Sequence, residues 1–318
     1  MRSWAARPTF ECMNTVIETR ALTKRFGGRL ALDGVDLVVP AGVAFGFLGP
    51  NGAGKTTFIR TLLGLTEPTS GEVSLLDLPQ PQQRRDALAR VGAIVEEPRF
   101  HPHLSGRENL QIVAAARGAE AAARISGALE RVGLAHRADD RVKTYSLGMR
   151  QRLGIARCLL ADPALLILDE PMNGLDPAGI IELRALIRSF VDEGRTVFLS
   201  SHLLDEVEKT CEHVAIVDHG RVLTQGTVAE LTGDGTPTVT IEVDDAGAAR
   251  RLLGSEPRVR RVTDDGATLS VVLADGLDPA GINRVLVAGG VGVSRLEPVR
   301  ATLEQRFLHI TSRLEDTR

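Results

Sequence analysis

Gly49-Pro50-Asn51-Gly52-Ala53-Gly54-Lys55-Thr56-Thr57 is the stretch on which the fold turns. Its first eight residues fit G-x-x-x-x-G-K-[ST], and each fixed position has a physical reason. Glycines let the backbone curl so that successive N–H groups point inward around phosphate oxygens. A helix that follows directly adds the positive end of its dipole. Lys55 can then reach the outer phosphates, and the Thr56 hydroxyl can ligate Mg²⁺. Lysine is scarce here: Lys24, Lys55, Lys143 and Lys209 are the only four among 38 basic residues. An accidental match therefore has odds of roughly a few per thousand. The context agrees, with an apolar run at 43–48 before the loop and a helical pattern from 55 to about 65 after it.

Working outward, two further β-like runs precede the loop, at 15–22 and 31–39. Residues 84–161 are rich in Ala, Arg and Leu and read as helical, interrupted at 98–106 by a segment with Pro and Gly. A short apolar run at 165–168 reads as a buried strand. Asp169 ends it, so the carboxylate lies at the carboxyl edge of a sheet, where α/β proteins bind ligands. There it can hold Mg²⁺, while the adjacent Glu170 points differently and can polarise an attacking water. Pro177 starts a helix with Ile180, Leu183, Ile187 and Phe190 on one face. Runs at 197–201 and 214–217 are further strands, separated by a helix at 203–211. Strand and helix alternate, which predicts a mostly parallel α/β sheet.

Composition bounds the rest. The chain has 318 residues, enough for about two domains. A net charge of −3 and 3% aromatic residues argue against a nucleic-acid partner. Cys12, Cys158 and Cys211 are far apart and form no CxxC or Cys/His cluster, so neither a disulfide framework nor a zinc site is expected. His101 and His103 lack a nearby third ligand. The longest uncharged stretch, 37–54, is long enough to span a membrane but holds Pro40, Pro50 and five glycines. It reads instead as strand, turn, strand and loop. No signal-peptide core appears at the start, and Met13 is a candidate first residue, with 1–13 a disordered extension.

A composition shift at 229–237 marks a boundary. Beyond it the pattern reads strand 238–243, helix 246–253, strand 258–263, a turn at Asp265–Gly266, strand 268–273, helix 278–288 and strand 291–297, with a last helix at 300–311. That β-α-β-β-α-β order is ferredoxin-like.

From about residue 16 to 226 the chain resembles the ATP-binding subunits of ABC transporters. GPNGAGKTT (49–57) matches the family's Walker A, and LLILDEP (165–171) its Walker B with the catalytic glutamate. Tyr145-Ser146-Leu147-Gly148-Met149 sits where the LSGGQ signature sits; Asn173-Gly174-Leu175-Asp176 matches the D-loop. His202, in LSSHLLDE, matches the switch histidine, and Phe26 lies where an aromatic stacks on adenine. Two departures stand out. In the signature, Leu147 replaces a glycine and Met149 a glutamine, while Ser146 and Gly148 keep the groups that can donate to a γ-phosphate. Glu96 aligns with the family's Q-loop glutamine, a metal ligand, and a carboxylate can ligate the metal too. Both departures, with RFHPHLSGRENL (99–110), look like the subfamily of bacitracin-type and drug exporters.

The resemblance implies a P-loop ABC cassette over 14–229, with a mixed-sheet core, an antiparallel β subdomain and a helical subdomain. The ferredoxin-like α+β region at 236–318 would be an accessory domain. Implied nucleotide contacts are Phe26, the loop Gly49 to Thr57, Glu96, Ser146, Gly148 and Asp176. Thr56, Asp169 and Glu96 would hold Mg²⁺; Lys55, Glu170 and His202 would catalyse ATP hydrolysis. The implied assembly is a homodimer sandwiching two ATP molecules, bound to a separate polytopic permease on the cytoplasmic face of the membrane. Drug or peptide-antibiotic export is the expected task. The alternatives are a soluble ABC ATPase outside transport and the energiser of an importer.

Overall fold

Residues 14–233, 238–265, 268–274, 279–299 and 302–308 are described by a computed structural model. It opens with two long strands, β1 (Thr15–Phe26) and β2 (Arg29–Pro40), paired antiparallel around Gly27 and Gly28. Both outrun the apolar patterns at 15–22 and 31–39. Lys24, Arg25 and Arg29 interrupt the apolar alternation, yet the backbone ladder continues through them. Next come β3 (Ala44–Leu48) and α1 (Lys55–Leu62), then β4 (Ser70–Leu75), β5 (Leu78–Gln80), α2 (Arg84–Ala89) and β6 (Val91–Ile94). The uncharged stretch 37–54 is therefore the end of β2, a turn, β3 and the phosphate loop. No helix among the described residues is long and apolar enough to cross a membrane.

β6 corrects the helical reading of 84–161. Val91 to Ile94 form a strand because they lie beside the later strand β7 (Leu165–Leu168), to which they pair in parallel. A four-residue apolar run carries no periodicity of its own. The helical segment proper holds α3 (Gly106–Arg117), α4 (Ala119–Ala123), α5 (Ile125–Arg131) and α6 (Leu147–Leu159). A capping box starts α3: the Ser105 hydroxyl accepts from the Glu108 N–H at 3.1 Å, and the Glu108 carboxylate accepts from the Ser105 N–H at 2.7 Å. After β7 follow α7 (Pro177–Asp192), β8 (Thr196–Ser201), α8 (Leu204–Thr210), β9 (His213–Asp218), β10 (Arg221–Thr227) and α9 (Val228–Gly233). Asp176 caps α7, accepting from the Gly179 N–H at 3.0 Å, with Pro177 at the first helical position.

These strands form two sheets. One is antiparallel, ordered β2-β1-β4-β5; the other is ordered β10-β9-β3-β8-β7-β6. The second is parallel except at its β10 edge. β3, at its centre, is buried throughout, so its loop is pinned to the most rigid part of the sheet. Four phenylalanines fix the helix that follows. Phe58 on α1 stacks on Phe47 at 4.6 Å between centroids, and Phe198 lies 5.5 Å from Phe47 and 5.8 Å from Phe45. Such offset pairs favour one packing geometry over others. They set α1, and hence the phosphate loop, against β3 and β8.

The chain divides between Thr227 and Val228. The second unit holds β11 (Thr238–Val243), α10 (Ala246–Gly254), β12 (Val259–Asp265), β13 (Thr268–Leu273), α11 (Pro279–Ala288) and β14 (Val293–Val299). Its sheet is ordered β12-β13-β11-β14 with every pair antiparallel, the ferredoxin-like arrangement. Val239, Ile241, Leu253, Leu269, Val271 and Leu286 are among the residues of its own core. Residues 303–308 are helical. The expected extension 1–13, Gly266 of the expected turn, and 300–301 and 309–311 of the expected last helix lie outside the described residues.

Candidate functional site

The loop between β3 and α1 rests on close backbone contacts. Gly54 caps α1 with φ +104°, a left-handed conformation, and a Cβ there would lie 2.6 Å from the Ala31 carbonyl oxygen. At Gly49 a Cβ would lie 2.3 Å from the Val217 carbonyl oxygen. Any larger residue would push the loop off β2 or β9. A cavity of about 390 Å³ sits on the loop. Phe26, Arg29 and Ala31, the loop residues Pro50, Asn51, Gly52, Gly54, Lys55, Thr56 and Thr57, and Glu170 line it.

Lys55 is 6% exposed, and its ammonium donates to the Gly49 carbonyl at 2.7 Å and the Pro50 carbonyl at 3.3 Å. Its Nζ also lies 3.1 Å from Glu170 Oε1. The other oxygen of that carboxylate, Oε2, lies 2.8 Å from His202 Nδ1. One carboxylate thus joins the lysine of the loop to a histidine just beyond β8. Glu170 itself has φ +47°, an uncommon conformation for a non-glycine residue that turns the chain sharply after β7. Ser200 holds that turn: its Oγ accepts from the Glu170 N–H at 2.9 Å and donates to Asp169 Oδ1 at 2.5 Å. Asp169 and Ser200 are both buried.

Ser146, Gly148, Asp176 and Glu96, all expected contacts, fall elsewhere. Ser146, Gly148 and Asp176 line a second cavity of about 370 Å³, between the start of α6 and the start of α7. Ser146 caps α6, its hydroxyl oxygen accepting from the Met149 N–H at 3.2 Å. Leu147, which departs from the family's glycine, packs toward Gly174: a Cβ on that glycine would lie 2.8 Å from Leu147 Cδ2. Glu96 does not line the first cavity. Its exposed carboxylate accepts from the Arg60 guanidinium at 2.7 Å. Tyr145 is buried, and its Oη donates to the Arg137 carbonyl at 2.6 Å, a packing role.

Sequence reasoning did not single out Ser200, Arg60 or Arg29. Ser200 stands two residues before His202 in a run read as a strand, and alternation along β8 could have flagged it. Arg60 depends on a pairing with Glu96, 36 residues away, and Arg29 on the register of the β1–β2 hairpin. Phe26 is half-exposed, with Lys24 Nζ 4.8 Å over its ring.

Residues 32–173 match the family model described as ABC transporter. Over 302 residues the chain is 39% identical to the bacitracin transport ATP-binding protein BcrA of Bacillus licheniformis, covering 94% of this chain and 98% of that one. The chain belongs to the ABC transporter ATP-binding proteins. It is also 36% identical over 307 residues to the daunorubicin resistance ATP-binding protein DrrA3 of Streptomyces coeruleorubidus, covering 94% of this chain and 96% of that one. Among solved structures, an ATP-binding subunit of an ABC transporter superposes with a TM-score of 0.61 and 31% identity, over 68% of this chain and 92% of that one. This ABC ATP-binding protein is therefore an ATPase of the transporter class.

Proposed function

We propose that this chain hydrolyses ATP to drive a separate polytopic permease that exports a drug or a peptide antibiotic. The observation that carries the hydrolytic part is the Glu170 carboxylate, placed between Lys55 and His202 at the wall of the phosphate-loop cavity. Glu170 takes the proton of the attacking water, and His202 holds the carboxylate in line. Lys55 and the N–H groups of the loop bind the outer phosphates, and Phe26 stacks on the base. Mg²⁺ prefers hard oxygen ligands, which the Thr56 hydroxyl and the buried Asp169 carboxylate offer. Bound with the nucleotide, it would offset phosphate charge. Glu96 reaches that metal only by leaving Arg60.

Ser146 and Gly148 act on a nucleotide held by a second copy. With its oxygen engaged by the Met149 N–H, the Ser146 hydroxyl keeps its proton for donation to a phosphate. The two copies pair head to tail on the cytoplasmic face of the membrane, and residues 96–110 contact the permease. The names of the relatives, BcrA and DrrA3, support export of antibiotics. The C-terminal region, 236–318, is an accessory domain. Recovery of tagged protein from membranes, with identification of the co-purifying chains, tests the assignment. A polytopic membrane protein that raises the ATPase rate supports it; recovery with ribosomes or DNA alone refutes it.

A further inference from the structure

Three ionisable side chains line the phosphate-loop cavity: Arg29, Lys55 and Glu170. The last two face each other at 3.1 Å, so their charges offset. Arg29 is exposed, and among the described residues no hydrogen bond or ion pair reaches its guanidinium. It is the uncompensated charge of a cavity built for a polyanion.

Its position is set by register. Arg29 opens β2 directly across from Phe26, so the two side chains stand side by side at the base end of the cavity. Two residues further along the same strand, Ala31 presses its carbonyl against Gly54 at the phosphate end. Two residues of strand cover about 7 Å. Arg29 thus stands between the base platform and the phosphate loop, where the sugar and the innermost phosphate of a nucleotide must pass. A guanidinium carries several donors in a fork that matches phosphate oxygens. The general motif does not require a cation here, since the loop and Lys55 address the outer phosphates.

We propose that Arg29 binds the α-phosphate of the nucleotide and sets ground-state affinity for ATP and ADP alike. It is a positioning residue rather than part of the hydrolytic step, which is assigned to Glu170 and His202. This inference rests on the nucleotide reading of the cavity, and the two fail separately.

The test is equilibrium binding of ATP, ADP and adenosine to the full chain, with ATPase kinetics, for wild type, Arg29→Met, Arg29→Lys and Lys55→Ala. Met keeps the apolar stem beside Phe26 and removes the charge. The expected result is a loss of about tenfold in affinity for ATP and for ADP with Arg29→Met, as for one charge-assisted hydrogen bond near solvent. The loss shrinks as salt rises. KM rises while kcat at saturating ATP stays unchanged, Arg29→Lys recovers most of the affinity, and adenosine binding is unaffected. Equal ATP and ADP affinities for wild type and Arg29→Met would overturn the proposal. So would an equal loss for adenosine, which would seat the guanidinium on the base. Wild type that binds no better than Lys55→Ala would instead overturn the nucleotide reading itself.

Discussion

The Glu170 carboxylate lies 3.1 Å from the Lys55 ammonium, the group the phosphate loop offers to its ligand. On the proposed reading, phosphate and carboxylate compete for one cation, and the residue that would activate water is also the residue that must give Lys55 up.

Glu170→Gln separates these roles. The amide keeps the shape of the side chain but is a poor base and no longer holds Lys55 by charge. ATP hydrolysis should fall at least ~100-fold, in the range typical for loss of a general base. Affinity for ATP should stay the same or tighten. Single-turnover hydrolysis and equilibrium binding measured on the same preparation check both halves. Wild-type turnover in the variant would remove Glu170 from the role of base.

Ser200→Ala tests what supports that carboxylate. The Ser200 hydroxyl bridges the buried Asp169 carboxylate and the Glu170 N–H, so its loss leaves a buried acceptor and a backbone donor without this partner. A cost of about 1–3 kcal/mol in unfolding free energy is expected. The concentration of Mg²⁺ giving half-maximal ATPase activity should rise, because Asp169 is less firmly aimed. Denaturant unfolding and a Mg²⁺ titration read the two effects. An unchanged titration with lowered stability would make Ser200 a packing residue only.

The parts of the site legible in the sequence are those whose chemistry is contiguous. The run 49–57 states its purpose locally, and Asp169-Glu170 follows from one apolar strand. Arg29 beside Phe26 was not legible, because it depends on the register of a hairpin. Nor was Glu96 on Arg60, a pairing between residues 36 apart in the chain. Residues 70–75, 78–80 and 91–94 are strands because neighbours complete their ladders; Ser70, Gly71 and Glu72 are exposed and show no apolar alternation. In the C-terminal unit β13 was legible because it alternates cleanly: Leu269, Val271 and Leu273 face inward between less buried neighbours.

Cys158 and Cys211 give a pH-dependent prediction. Burial pushes the Cys158 thiol up to about 11 and the Cys211 thiol well above its ordinary value. The thiolate is the reactive form, so both should resist alkylation at pH 8 until denaturant is added, as read by site-resolved mass spectrometry. The sign of the stability effect follows from the raised values. The folded chain keeps both protons where the unfolded chain, titrating near 9, loses them. Stability from these groups is therefore full below about pH 9 and declines as pH rises toward 11. Denaturation midpoints from pH 8 to 11 should fall more steeply for wild type than for Cys211→Ala, compared at each protein's own pH 8 value.

Truncation after Thr227 tests the independence of the two units. Every residue assigned to the phosphate-loop cavity lies between Phe26 and Glu170, and the six-stranded sheet beneath it ends with β10 at Thr227. The second unit has its own core around Ile241, Leu253 and Val271. A chain ending at Thr227 keeps every strand that holds the loop, so it should fold with ATP affinity within about twofold of the full chain, a change of less than ~0.5 kcal/mol. Circular dichroism establishes folding and equilibrium binding reads the affinity. A folded fragment that no longer binds ATP would mean that residues beyond Thr227 shape the nucleotide site, and the accessory role assigned to them would be wrong.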